Sequence, residues 1–175
     1  DAPQAYLLTV CYLLLQVEAK SAFKERIWMG IIYPDYNCFQ RGFDDPGQVR
    51  IQMEALACQE IFLKAESGQI QLIWSFMHED EALLCPFPER KYEALRLATL
   101  CQVRVGPQEK IRGMAASFQK QGNLSAKDAI HLACASYASA DTFLTCDDSL
   151  IKRVKHLNLG MKVMNPVDYI RQEAD

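Results

Sequence analysis

The chain is poor in the features that usually announce a function. It has no Gly-x-Gly-x-x-Gly and no P-loop, so neither common phosphate cradle is present. Its seven cysteines include no Cys-x-x-Cys pair, and their number is odd. That excludes a zinc knuckle and a disulfide scaffold and fits a reducing, cytoplasmic setting. Each cysteine reads as a small buried apolar residue. The three histidines, His78, His131 and His156, have no metal-ligand spacing. There is no basic excess either. A formal net charge of −3 does not suit a protein that coats nucleic acid. It does suit a nucleic-acid enzyme whose own site is rich in carboxylates. The apolar run from Ala5 to Val17, AYLLTVCYLLLQV, falls short of the ~20 residues that span a bilayer, so no membrane role is expected. No basic segment precedes it and no clean small-residue cleavage site follows, which argues against a signal peptide. The folded domain is expected to span 29–175, beginning near Met29, with 1–28 an N-terminal extension whose status the sequence leaves open.

What the chain does have is alternation. At 175 residues, half of them apolar and 23% charged, it has the length and composition of one soluble domain. Short β-forming runs recur: WMGIIY (28–33), IQLIW (70–74), QVRV (102–105), TFLT (142–145) and MKVM (161–164). Helical periodicity fills the gaps, with stops at Gly68 and Gly122 and caps at Ser75 and Ser125. Strand alternating with helix predicts βαβ units and an α/β fold with a mostly parallel sheet of about five strands. Internal repeats, linkers and low-complexity segments are missing.

Ligands of open α/β sheets sit beyond the carboxyl ends of the strands. Asp35 falls there after the first strand, in IIYPDYN, and Asp147 falls there after the fourth, in FLTCDD. Either alone is as readily a loop residue or a helix cap. Asp128 lies in the first turn of a helix, where Ser125 and Asp128 also read as a capping box and the helix dipole favours a carboxylate. A fourth acid comes from Glu79, Asp80 and Glu81 in SFMHEDEALL. A helical wheel puts Asp80 at the centre of the apolar stripe, between the other two. Carboxylates brought together raise one another's pKa, and a hard divalent cation with oxygen ligands relieves the repulsion. The matching chemistry is phosphodiester hydrolysis by a metal-activated water.

Four stretches together, IIYPDYNCFQRGFDDPGQVRIQMEA, WSFMHEDEALLCPFPERK, SAKDAIHLACASYASADTFLTCDDSLIK and KVMNPVDYI, resemble the PIN-domain family, above all its VapC-type toxins. The resemblance runs from about Met29 to Tyr169. It implies a three-layer α/β/α sandwich and an endoribonuclease that depends on Mg2+ or Mn2+. By position it implies metal-binding and catalytic roles for Asp35, Glu81, Asp128 and Asp147. The pattern E-x-x-x-x-P-F-P-E-R selects Glu81 where the wheel favours Asp80. Thr145, Asn37 and Asp148 become auxiliary residues. Pro34 and Tyr36 depart from the family pattern around the first aspartate.

Among the basic residues, Lys127, Lys152 and Arg153 are candidate phosphate contacts, although each equally suits a solvated helix face. The expected substrate is single-stranded or looped RNA. The resemblance further implies a homodimer and a cognate antitoxin. The alternatives are another α/β enzyme, such as a phosphatase, or a catalytically eroded PIN-fold module that binds RNA or protein. Asn37 two residues after Asp35, where a second aspartate would stand, weakens the phosphatase reading.

Overall fold

A computed structural model describes residues 30–174. The extension expected over 1–28 lies outside the described residues. Five strands alternate with eight helices among these residues: β1 (Ile31–Pro34), α1 (Tyr36–Gln40), α2 (Val49–Glu66), β2 (Gln71–Ser75), α3 (Phe76–Leu84), α4 (Pro88–Ala98), β3 (Val103–Val105), α5 (Glu109–Gly122), α6 (Ala126–Tyr137), β4 (Thr142–Leu144), α7 (Asp148–Val154), β5 (Lys162–Met164) and α8 (Pro166–Ala174). The sheet order is β3-β2-β1-β4-β5, and every pairing is parallel. This is the expected three-layer α/β/α sandwich.

The period of two along each strand divides the core. Ile32, Leu72, Trp74 and Leu144 point to one face, where α1, α2, α4 and α8 cover them with Phe39, Ile61, Phe62, Ala94 and Tyr169. Tyr33, Ile73 and Phe143 point to the other, against Ile111, Ala115, Leu132, Ala133 and Leu150 of α5, α6 and α7. The runs read as continuously apolar because both faces are buried. β1 spans Ile31–Pro34 after Gly30, and Trp28 and Met29 of its apolar run lie outside the described residues. Asp35 caps α1, which runs into a 3-10 turn over Arg41–Phe43.

The topology sets the site. β1 lies at the centre of the sheet between β2 and β4, so residues following these three strands meet at one edge. Pro34 is the last residue of β1 and its missing N–H is tolerated there. Its carbonyl accepts a hydrogen bond from His78 Nε2 at 2.9 Å. Pairing with β4 resumes one residue later, where the Asp35 N–H donates to the Leu144 carbonyl at 2.7 Å. Tyr36 is buried in the core, which accounts for a large aromatic after the aspartate. No helix among the described residues is long and apolar enough to cross a membrane.

Candidate metal centre

β1 delivers Asp35 to the sheet edge at 9% exposure. Its Oδ1 accepts the Tyr36 N–H at 2.8 Å, and its Oδ2 accepts Asn37 Nδ2 at 2.7 Å and the Thr145 hydroxyl at 2.8 Å. All three donors are uncharged. Burial pushes the Asp35 carboxyl above its ordinary range, against the lowering pull of His131 and Thr145, and Glu81 adds to the rise. Asp35 therefore holds its proton more tightly than a free aspartate.

α3 supplies Glu81. Its side chain turns inward at 13% exposure, while Asp80 and Glu79 are exposed. The wheel that favoured Asp80 fails because the helix is short and sits at the sheet edge, where a flanking position faces the cleft. Glu81 Oε2 accepts His131 Nε2 at 2.7 Å, and its other oxygen pairs with Lys127. Burial alone would raise Glu81, but the contacts with His131 and Lys127 leave its carboxyl below the usual range.

Asp35, Glu81 and His131 each present a ligand atom within 4.8 Å of the others. His131 was not among the residues expected at the site. Spacing along the sequence is a poor guide here, because its partners come from other elements. The signal available was its position, one helical turn after Asp128 on the apolar face of α6. Behind it runs a buried chain of hydrogen bonds. His131 Nδ1 lies 2.7 Å from the Tyr33 hydroxyl, which lies 2.7 Å from Ser75 Oγ. The Ser75 N–H donates to His78 Nδ1 at 2.9 Å, so the proton of His78 sits on Nε2, facing Pro34. Burial, with His131 adding to it, holds His78 well below the usual imidazole range and therefore neutral. Glu81 accepts from His131 Nε2, which assigns that nitrogen a proton as well.

Asp128 and Asp147 stand outside the 4.8 Å group. Asp128 is half-buried in the first turn of α6, and its N–H donates to Ser125 Oγ at 3.1 Å. Asp147 is exposed and caps α7, where its Oδ1 accepts the N–H groups of Ser149 and Leu150 at 2.7 and 3.2 Å. Its own N–H donates to Thr145 Oγ1 at 3.1 Å, so one hydroxyl links it to Asp35. Asn37 bridges the same loop, with Nδ2 to Thr145 Oγ1 at 3.0 Å and Oδ1 accepting the Cys146 N–H at 3.2 Å. Asp148 faces away into a two-bond pair with Arg50 at 2.6 and 2.7 Å. Lys127 is committed to Glu81. Lys152 and Arg153 are exposed on α7, and Arg153 donates to Ser149 Oγ at 2.7 Å.

The donor set fits a hard divalent cation. It offers carboxylate oxygens, one of them held by the His131 imidazole, which suits Mg2+ or Mn2+ better than a soft ion. A buried acid with a raised pKa beside a second carboxylate is also the charge state a cation would relieve.

A parallel sheet in order 3-2-1-4-5, layered by helices and gathering acids beyond its central strands, defines a three-layer α/β/α class of fold. No protein-family profile matches the chain, and no curated protein does. Solved structures do. One is a chain of a toxin–antitoxin complex from Klebsiella pneumoniae, with a TM-score of 0.54 at 15% identity over 77% of this chain and 97% of that one. Another is a chain of VapBC2 from Rickettsia felis bound to a DNA fragment from their promoter, with a TM-score of 0.53 at 12% identity over 77% of this chain and 98% of that one. The fold is that of the VapC-type PIN proteins. Identity this low establishes a shared fold and nothing finer.

Proposed function

We propose that the protein is a metal-dependent endoribonuclease that cuts single-stranded or looped RNA, acting as the toxin of a toxin–antitoxin pair. The observation that carries this reading is the convergence of Asp35, Glu81 and His131 within 4.8 Å at the carboxyl edge of the sheet. The raised proton affinity of Asp35 and the fold shared with toxin–antitoxin proteins support it.

In this reading Asp35 and Glu81 hold Mg2+ or Mn2+, with Asp128 and Asp147 completing the oxygen set. When bound, the ion lowers the pKa of a water and neutralises charge on the phosphate. The chain's own residues do the positioning. Thr145 and Asn37 fix Asp35, and His131 fixes Glu81 and is itself anchored through Tyr33 and Ser75. Lys152 and Arg153 contact phosphate, joined by Lys127 once a bound ion replaces it at Glu81, which places the strand without reading its sequence. Exposed Met53, Leu56 and Leu63 on α2 and Tyr92 and Leu95 on α4 offer apolar surface for an antitoxin or a second copy of the chain.

Incubation of the chain with structured and unstructured RNA tests this. Cleavage is expected with Mn2+ or Mg2+, none with EDTA, and none in Asp128→Asn or Asp147→Asn. RNA bound but left uncut with either ion favours the eroded binding module. Asp128 and Asp147 standing outside the inner group, and Lys127 pairing with Glu81, are the features that reading would explain.

A further inference from the structure

Across the sheet edge from the acids, three thiols meet. Cys38 comes from α1, Cys58 from α2 and Cys146 from the loop between β4 and α7, and their sulfurs lie within 4.8 Å of one another. All three are free. We propose that Cys38, Cys58 and Cys146 form a binding site for a soft, thiophilic cation, best matched by Cu(I), independent of the reading of the acid cluster.

The geometry suits a three-coordinate ion. Three sulfurs around a cation at bonds of about 2.3 Å stand about 4 Å apart. A small inward movement from separations of up to 4.8 Å gives that spacing. Soft thiolates select soft ions, and a trio of sulfurs offers little to Mg2+ or Mn2+. The site also has an entrance. A cavity of about 560 Å3 between α2 and α4 is lined by Cys38 and Cys58 together with Phe39, Phe62 and Leu97. The remaining described cysteines lack this arrangement. Cys85, Cys101 and Cys134 belong to no such group.

On binding, each ligating thiol that is still protonated gives its proton to solvent. That loss reaches the acid cluster through Asn37 and through the Leu144 carbonyl that pairs with Asp35, since the Cys38 thiol lies 3.4 Å from each. Asn37 Oδ1 accepts the Cys38 thiol at 3.4 Å and the Cys146 N–H at 3.2 Å, while its Nδ2 donates to Asp35 Oδ2 at 2.7 Å. Ligation removes the Cys38 donor from Asn37, so occupancy of the thiol site loosens a residue that orients Asp35.

The test is titration of the reduced full-length chain with Cu(I) under anaerobic conditions, in competition with bicinchoninate. The expected result is one tightly held Cu(I) per chain, an ultraviolet thiolate-to-copper band and a higher melting temperature. Binding is expected to vanish in Cys58→Ala and Cys146→Ser, checked for folding by circular dichroism, and to persist in Cys85→Ser and Cys101→Ser. Wild-type protein that takes no copper from the chelator overturns the proposal. So does copper held equally by a folded Cys58→Ala variant. Preferential uptake of Zn(II) with the same cysteine dependence overturns the copper assignment.

Discussion

Two buried carboxylates, Asp35 and Glu54, are treated in opposite ways. Glu54, on α2, is 1% exposed. Its oxygens accept from Arg41, from Arg50 Nε at 2.9 Å and from Asn165 Nδ2 at 2.7 Å. Burial alone would raise its pKa, and those bonds more than reverse the effect, leaving it low. Asp35 has as many donors, but all of them are neutral, and its nearest charged neighbours include another carboxylate. The number of donor residues, three at each, does not separate the two sites. The charge of the donors does: Glu54 is bonded by two guanidinium groups, whereas Asp35 has only neutral donors to set against its burial. Glu54 is closed, with its charge compensated within the fold. Asp35 is open, satisfied in its hydrogen bonds but not in its charge, which is the state expected of a group kept for a ligand.

The largest expected effect is on Asp35. Asp35→Asn should lower metal-dependent RNA cleavage by at least about 1,000-fold, equivalent to about 4 kcal/mol of barrier. The melting temperature should stay level or rise, since an uncompensated acid has been removed. A large fall in melting temperature would make Asp35 a structural residue like Glu54 and end the contrast. Glu54→Gln should do the reverse. Breaking a buried pair costs about 3 kcal/mol, or roughly 10 °C of melting temperature, while cleavage per folded molecule is retained. His131→Gln comes next, with a loss of about 10- to 100-fold in metal affinity or rate. It also removes a bond that lowers Glu81, so the acid limb of the pH–rate profile should move to higher pH.

Acid titration of stability separates the pair more finely. The lowered carboxyl of Glu54 contributes stability above its ordinary value of 4.5, and this is lost as pH falls through the depressed folded value. The raised carboxyl of Asp35 contributes below its ordinary value of 3.8, and this is lost as pH climbs through the elevated folded value. Denaturant melts should therefore show Glu54→Gln flattening the acid-side decline, and Asp35→Asn gaining more on wild type at pH 7 than at pH 4. The smallest effect belongs to Asp148→Ala, which breaks an exposed pair with Arg50 and should leave the melting temperature almost unchanged.

Much of the fold was legible in the sequence because both faces of the sheet are buried. Continuous apolar runs such as IQLIW announced strands, and Gly68, Ser75, Gly122 and Ser125 marked helix ends close to where they fall. What was not legible came from contacts between distant elements. Short α1 lacks the length for periodicity to show. His131 looked like an ordinary helix residue because Glu81 and Tyr33 reach it from other elements. Asp80 and Glu81 are neighbours, and only the direction in which α3 leaves the sheet separates the exposed one from the inward one. Cys38, Cys58 and Cys146 showed no motif because three separate elements bring them together.

The bond from Thr145 to Asp35 joins residues 110 positions apart, and Asp35 pairs directly with Leu144. That separation governs when the site can exist. A ribosome releases the chain from its N-terminus, so Asp35 and Glu81 emerge long before the strand that fixes the first of them. Local helices form early, but closing so long a loop waits for the partner strand to arrive. The acid cluster is therefore a late product of synthesis. A chain truncated before β4 would carry Asp35, Glu81 and His131 without the neighbour that orients Asp35.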